Sequence, residues 1–386
     1  MLLVFLKAFL WIFFILGLVI FIHEFGHFIV SKLIGIRVEE FAFGYGKKII
    51  GKKIGHTNYR INMIPYGGYV KLFGEEKGSD RPYSFSSKSI KMKSLVIIAG
   101  VLMNFILAVI LFYFVLFFKS YSIFIPRISN YNFIGGDVYI QNKPIVENII
   151  EDTPAAKVNF PRDVVIWSVD GNEITDVEEF VDYLSNHKNS EIKIKILSFE
   201  GQWKDISVIP SETGEEGVLL GVEFYDVIAS FYKLDYSNTK IFSGLSHTIN
   251  FTGYTLDVFK DLIMISFKEK SITPVSEGVS SPVGVANRIF ELVRAGDIIE
   301  IFNLAAGVNL SLAIINLVPI PGLDGGYLIF LLLEKVRGKK IAEKYQEWAT
   351  KIGFVFLITL GILVTIKDFI QFDILPRFGN LIKNLF

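Results

Sequence analysis

The stretch FIHEFGH, residues 21 to 27, closes an apolar run that begins at the N-terminus. His23, Glu24 and His27 fit the pattern H-E-x-x-H. On a helix, positions four apart share a face, so both imidazoles can reach one zinc ion. Glu24, beside them, is placed to take a proton from a water that the metal activates. A catalytic zinc holds three protein ligands and keeps a fourth position open, so the chain must supply one more histidine or carboxylate.

Asp324 is the candidate. It is the only formal charge in the 33 residues from Ile301 to Leu333. An ionised aspartate at the centre of a membrane helix costs about 2.5–3.5 kcal/mol on the insertion scale. Such a residue implies a partner, and a divalent cation offsets that cost. Gly322, Gly325 and Gly326 around it permit the broken backbone that a buried site needs. His56, His187 and His247 lie in segments expected outside the spans, with nothing at ligand spacing beside them, and are read as surface or capping histidines.

The elements that must carry these residues are apolar. Hydrophobic residues make up 51% of the 386 and charged ones 20%, with a mean hydropathy of +0.46, a balance that points to membrane residence. The absence of cysteine excludes disulfides, thiolate zinc sites and cysteine nucleophiles. The net formal charge of zero gives no electrostatic case for nucleic acid. About four transmembrane helices are expected, at 1–34, 93–119, 301–333 and 351–372. The first resembles a signal peptide in length, but no small-x-small cleavage site follows and it is read as a retained span. Lys+Arg outnumber Asp+Glu by 13 to 5 over residues 32–93 and by 6 to 3 over 334–351, and are outnumbered 16 to 27 over 119–300. The positive-inside rule then places the two basic loops in the cytoplasm and the acidic segment outside.

Residues 35–92 alternate apolar side chains with glycine turns and read as a β-element at the membrane surface or packed on protein. Residues 125–212 read as a soluble α/β domain, with VVIWSVDG ending in a turn, VEEFVDYL as an amphipathic helix and IKIKIL as a two-faced strand. For 213–300 only a surface helix face, Ile241, Leu245 and Ile249, is legible.

These motifs resemble the site-2 protease family of intramembrane zinc metalloproteases, in its bacterial regulator-of-sigma-E-protease form. The resemblance rests on FIHEFGHFIVSKLIGIRVEEFAFGYG, IPYGGYVKL, SIKMKSLVIIAGVLMNF, SPVGVA and NLVPIPGLDGG, in family order across nearly the whole chain. It implies that His23, His27 and Asp324 bind Zn2+ and that Glu24 is the catalytic base. It further implies that Asn104, Asn316, Pro319 and Pro321 position the substrate, and that the β-element, on the cytoplasmic side, re-enters the membrane and pairs with an unwound substrate strand. ENIIEDTPAAK with VVIWSVDGNEI resembles a PDZ core, giving one extracytoplasmic PDZ domain. Its Lys143 to Val146 stretch either binds peptide or belongs to a folded spacer that screens substrates by bulk. Two positions depart from the family: GVLMN lacks the proline after its glycine, and KVNFPRD replaces the usual glycine-bearing PDZ turn.

The expected activity is hydrolysis of peptide bonds within or near transmembrane segments in the bacterial inner membrane. By resemblance the partners are transmembrane substrates, such as anti-sigma factors or signal-peptide remnants, and membrane lipid, with no nucleic acid. Two other classes stay open: a membrane-anchored H-E-x-x-H peptidase acting on soluble substrates, and an inactive membrane PDZ scaffold.

Overall fold

A computed structural model describes residues 2–75, 78–198, 203–212, 219–226 and 228–372. The chain opens with helix α1 (Leu2–Leu33), two long antiparallel strands, β1 (Val38–Ile54) and β2 (Thr57–Leu72), in a folded-back hairpin in which the first part of β1 pairs with both ends of β2, and helix α2 (Ile90–Phe118). Two compact units result, one comprising the chain up to Val115 and from Gly244 onward, the other Leu116–Ser243.

The second unit starts with strands β3 (Ser122–Pro126), β4 (Asp137–Lys143) and β5 (Ile145–Ile149) and a short helix, α3 (Pro154–Lys157). Strands β6 (Val164–Val169) and β7 (Asn172–Glu173), helix α4 (Val177–Asn186) and strands β8 (Ile192–Ser198) and β9 (Trp203–Val208) follow. Strands β10 (Val222–Phe224) and β11 (Ala229–Asp235) close the unit. One antiparallel sheet runs β10-β5-β6-β8-β9, with β7 beside β6; the other runs β3-β11-β4. The strand IKIKILS buries Ile192, Ile194 and Ile196 and exposes Lys193 and Lys195, the alternation of a sheet with one face on a core. Phe180 and Leu184 of α4 lie on that core. The helix is capped by Asp176, which accepts the Glu179 N–H at 2.8 Å, while Glu179 reaches back to the Thr175 N–H at 2.8 Å.

One expectation needs correction here, and one of two open readings is favoured over the other. The unit extends beyond 125–212, because β10 and β11 each complete a sheet. Nor does Lys143 to Val146 offer a free edge to a peptide. β5 is paired on one side with β6 and on the other with β10, and Lys143 is fully buried. The Lys143 ammonium donates to the Ile174 carbonyl at 2.9 Å and lies 4.7 Å from the centre of the Trp167 ring. Burial holds its pKa below the usual lysine value, with Glu173 opposing that shift.

In the first unit the chain continues with helix α5 (Ser243–Glu269), the short α6 (Thr273–Glu277), α7 (Pro282–Ala295), α8 (Ile298–Leu317), α9 (Asp324–Arg337) and α10 (Glu343–Gln371). Four helices among the described residues are long and apolar enough to cross a membrane, spanning Leu3–Leu33, Ile90–Phe118, Ile298–Leu317 and Lys344–Gln371. The expected third span, 301–333, is two helices. Val318 ends α8 with ψ 135°, because the ring of Pro319 disfavours the helical conformation in the residue before it. The chain reverses through 318–323 and starts again at Asp324.

Apolar side chains of α1, α2, α7 and α8 form one core, including Ile15, Phe112, Ile289 and Ala306. The root of the hairpin forms another with α2 and α9, through Val38, Leu72, Val96 and Leu331. Phe28 of α1 stacks on Phe41 at a centroid distance of 4.6 Å, which ties the hairpin to the helix carrying HEFGH. The end of α10 is fastened to the start of α7. The buried Asp368 carboxylate accepts the Ser281 N–H at 2.7 Å, and Lys367, paired with it at 2.8 Å, donates to the Val279 carbonyl at 2.7 Å. Asp368→Ala leaves the Ser281 N–H without its acceptor and removes the carboxylate paired with Lys367, and should cost about 2–3 kcal/mol. A thermal unfolding midpoint in detergent lower by several degrees checks this; an unchanged midpoint would show that the junction carries no stability.

Candidate active site

His23 and His27 lie one turn apart on α1, with imidazole planes 85° to one another and Nε2 atoms 3.2 Å apart. Asp324, the first residue of α9, brings its Oδ2 to 3.1 Å from His23 Nε2 and 3.5 Å from His27 Nε2. A tetrahedral ion with bonds of about 2.0–2.1 Å sets its ligand atoms about 3.3–3.4 Å apart, and the three separations scatter around that value. Asp324 Oδ2 is buried and accepts no hydrogen bond from the described residues. A carboxylate facing two imidazole nitrogens at this range needs a cation or a proton between them. The donor set therefore fits a divalent metal with nitrogen and oxygen ligands.

The second nitrogen of each ring is also engaged. His27 Nδ1 lies 2.8 Å from the Val96 carbonyl oxygen, an acceptor only, so Nδ1 carries the proton and Nε2 presents its lone pair. His23 Nδ1 lies 3.3 Å from the side-chain amide of Asn104, whose Oδ1 is buried without a partner among the described residues. Amide oxygen and nitrogen are interchangeable in shape, and with the amide turned over Oδ1 would accept the Nδ1 proton. Asn104 has no exposed surface to offer a substrate, contrary to expectation. Asn309 on α8, also fully buried, donates to the Asn104 backbone carbonyl.

Close helix approach makes this possible. A Cβ on Gly100 of α2 would lie 2.6 Å from His27 Nε2 and 2.8 Å from His23 Cε1; one on Gly26 would lie 2.9 Å from the Gly100 nitrogen. Only glycines let the two backbones meet where the imidazoles sit. On the far side, Gly325 and Gly326 pack against the carbonyls of Leu317, Val318 and Ile320, which folds α9 back tightly enough to deliver Asp324.

Glu24 and the three convergent residues line one cavity of ≈ 320 Å³ with Val70, Leu72, Glu75, Tyr327 and Thr350. The Val70 N–H of β2 donates to Glu24 Oε2 at 3.0 Å, so the hairpin backbone orients that carboxylate. Asn316, near the end of α8, places its amide nitrogen 3.4 Å from His23 Nε2. Pro319 and Pro321 do not line the cavity; they shape the 318–323 turn beside it. The remaining histidines stay apart from this group. His56 sits exposed at the hairpin turn and His187 caps α4, but His247 is 1% exposed, its ring edge-on to Phe112 at 4.7 Å, and so is a core residue rather than a surface one.

Sequence reasoning missed Gly26, Gly100, Asn309 and the Val70 backbone. A small residue in each of two apolar spans was the available signal for the glycines; a backbone donor leaves no signal in residue type. Gly100→Ala inserts a methyl group into both imidazoles and should weaken zinc binding by at least about 10-fold, the scale seen when groups supporting metal ligands are lost. Gly307→Ala is the control, because a Cβ there meets nothing nearer than 3.8 Å. Equilibrium dialysis with zinc checks both, and equal affinity in the two variants would contradict the contact.

Comparison with known proteins agrees with this chemistry. The chain is 31% identical over 355 residues to a protein of Clostridium acetobutylicum that bears a zinc metalloprotease name, covering 91% of this chain and 94% of that one. A similarly named protein of Clostridium perfringens is 30% identical over 357 residues, with 91% and 95% covered. Zinc metalloprotease RasP of Oceanobacillus iheyensis is 28% identical over 440 residues, with 91% and 96% covered. The PDZ domain of the SdrC-like protein of Listeria innocua covers 22% of this chain and 96% of its own at 23% identity, with a TM-score of 0.20, too slight a likeness to assign a fold. Residues 11–360 match peptidase family M50 as a whole, and the chain belongs to that family, the zinc-dependent site-2 proteases.

Proposed function

We propose that the protein hydrolyses peptide bonds within or beside membrane-spanning segments of other proteins, with His23, His27 and Asp324 holding the zinc. The observation that carries this reading is where the site lies. Its two histidines sit inside the first of four helices long enough to span a membrane, and Asp324 begins the helix just after the third. Water-soluble peptidases have no need to place a metal site among such helices.

Bound at the three residues, zinc supplies Lewis acidity towards a peptide carbonyl and towards water. Glu24 accepts the proton of the attacking water and delivers it to the departing amine, its carboxylate held in line by the Val70 N–H. Asn316, 3.4 Å from the ligating nitrogen of His23, is positioned to donate its amide N–H to the carbonyl oxygen as charge develops there. Asn104 fixes the ring of His23 from behind rather than touching substrate. Pro319 and Pro321 hold the neighbouring turn open for a substrate strand.

A helical substrate must unwind before its carbonyls become available, because each is already hydrogen-bonded within the helix. Pairing with the hairpin beside Glu24 would replace those bonds. The substrates under this reading are single membrane helices, of the anti-sigma-factor or signal-peptide-remnant kind, in a bacterial inner membrane. The basic segments 32–93 and 334–351 then face the cytoplasm and the acidic 119–300 faces out. The second unit acts as a PDZ-like module.

Separating the base from the ligands tests the proposal. Glu24→Gln keeps size and hydrogen-bonding shape, so zinc should stay bound while cleavage of a reconstituted transmembrane substrate falls about 10²- to 10⁴-fold. His23→Ala should lose the zinc itself, since two protein ligands remain. Near-normal turnover in Glu24→Gln would refute the base assignment. A native enzyme that cuts soluble peptides but spares the membrane substrate would refute the intramembrane reading. Reporter fusions at Lys53 and Lys188 should meanwhile report opposite faces of the membrane; the same face for both would overturn the topology.

A further inference from the structure

The outer half of the hairpin takes no part in the site just described. There β1 reads KKIIGKKI from Lys47 to Ile54, and these residues are exposed. Lys48, Lys52 and Lys53 line one concavity of ≈ 360 Å³ together with Gly51, Asn58, Tyr59 and Arg60, and no carboxylate lines it. The register explains the grouping, since Gly51 pairs with Arg60, Lys52 with Tyr59 and Lys53 with Asn58. Gly51 also leaves the floor open: a Cβ there would lie 3.0 Å from Lys48 Cδ and 3.4 Å from Arg60 Cγ.

The charge in this concavity is unbalanced. Arg60 is paired with Glu40, its Nη1 donating to both carboxylate oxygens at 2.9 and 3.0 Å, yet its Nε is buried without an acceptor among the described residues. None of the three lysines has a carboxylate within ion-pair range among the described residues. Around the cations stand apolar side chains left in the open, Ile49 at 61%, Ile50 at 66% and Ile54 at 58% exposure. An anion by itself would satisfy the lysines and leave the isoleucines in water. An anionic membrane surface satisfies both, with phosphate groups at the cations and acyl chains under the isoleucines. The hairpin is also tethered for it, since β1 begins at Val38, soon after α1 ends at Leu33.

We propose that the Lys48–Lys52–Lys53–Arg60 concavity is a binding site for the phosphate headgroup of anionic lipid, with Ile49, Ile50 and Ile54 inserted beside it. The outer hairpin is thereby docked on the membrane and its inner half, which orients Glu24, is steadied. The proposal rests on membrane residence, which alkaline carbonate extraction tests separately.

The chain has no cysteine, so Ile50→Cys gives a single labelling site for an environment-sensitive fluorophore. The full chain is placed in nanodiscs of phosphatidylcholine alone or with increasing phosphatidylglycerol. The label should become shielded from an aqueous quencher only as phosphatidylglycerol is added, and high salt should reverse it. Each lysine near an anionic surface changes affinity by about 5-fold, so the triple change K48Q/K52Q/K53Q should shift the phosphatidylglycerol dependence by about 100-fold. K48R/K52R/K53R should restore it, with zinc content equal in all three proteins. Equal shielding in both lipid compositions, or an unshifted K48Q/K52Q/K53Q response, would overturn the proposal. So would a label response to inorganic phosphate in lipid-free detergent equal to that produced by phosphatidylglycerol, which would mark a site for the free anion.

Discussion

A carboxylate and two imidazole nitrogens held 3.1–3.5 Å apart among apolar helices are the constraint on which the first unit is built. Left without a cation, such a group is costly, because no hydrogen-bond donor among the described residues relieves the buried Asp324 oxygen. In the proposed function, zinc between them would make the same three atoms favourable, and its binding would contribute to stability. One ion would then join residues almost 300 positions apart.

Bringing the three together dictates the helix packing. α1 and α2 meet at Gly26 and Gly100, where a side chain on Gly100 would strike both imidazoles and one on Gly26 the backbone of α2. α8 cannot simply continue into α9, because Asp324 must arrive from the end of the third span rather than from its middle. Pro319 stops α8, and the Gly325–Gly326 pair seats the start of α9 against the carbonyls of Leu317, Val318 and Ile320 at the end of α8 and in the turn. The hairpin completes the arrangement from a third direction, with Val70 on the Glu24 carboxylate. One strand thus orients the base and lies alongside the cavity where a substrate strand would run.

How much of this was legible in the sequence follows from the chemistry of each residue. His23, Glu24, His27 and Asp324 stood out because polar groups in apolar runs are costly and need a reason. The break at 318–323 was signalled by its prolines and glycines, yet the run was read as one span because hydropathy averages over the turn. Asn104 is placed at the substrate by the resemblance alone, since residue type does not tell which side of a histidine an amide occupies. His247 was misplaced because its stretch is only weakly apolar, while Phe112 of α2, together with Phe251 one turn along, packs against its ring. The limits of the second unit escaped because β10 is three residues long and gives no periodic signal.

The central claim is that one zinc joins α1 to α9. X-ray absorption at the zinc edge, on the full chain in detergent, tests it most directly. Two imidazole nitrogens at about 2.0–2.1 Å and carboxylate oxygen at about 2.0–2.2 Å are expected. In Asp324→Ala the carboxylate scattering should vanish and zinc should be held more weakly. A spectrum with one imidazole or none, or one that Asp324→Ala leaves unchanged at full occupancy, would contradict the account.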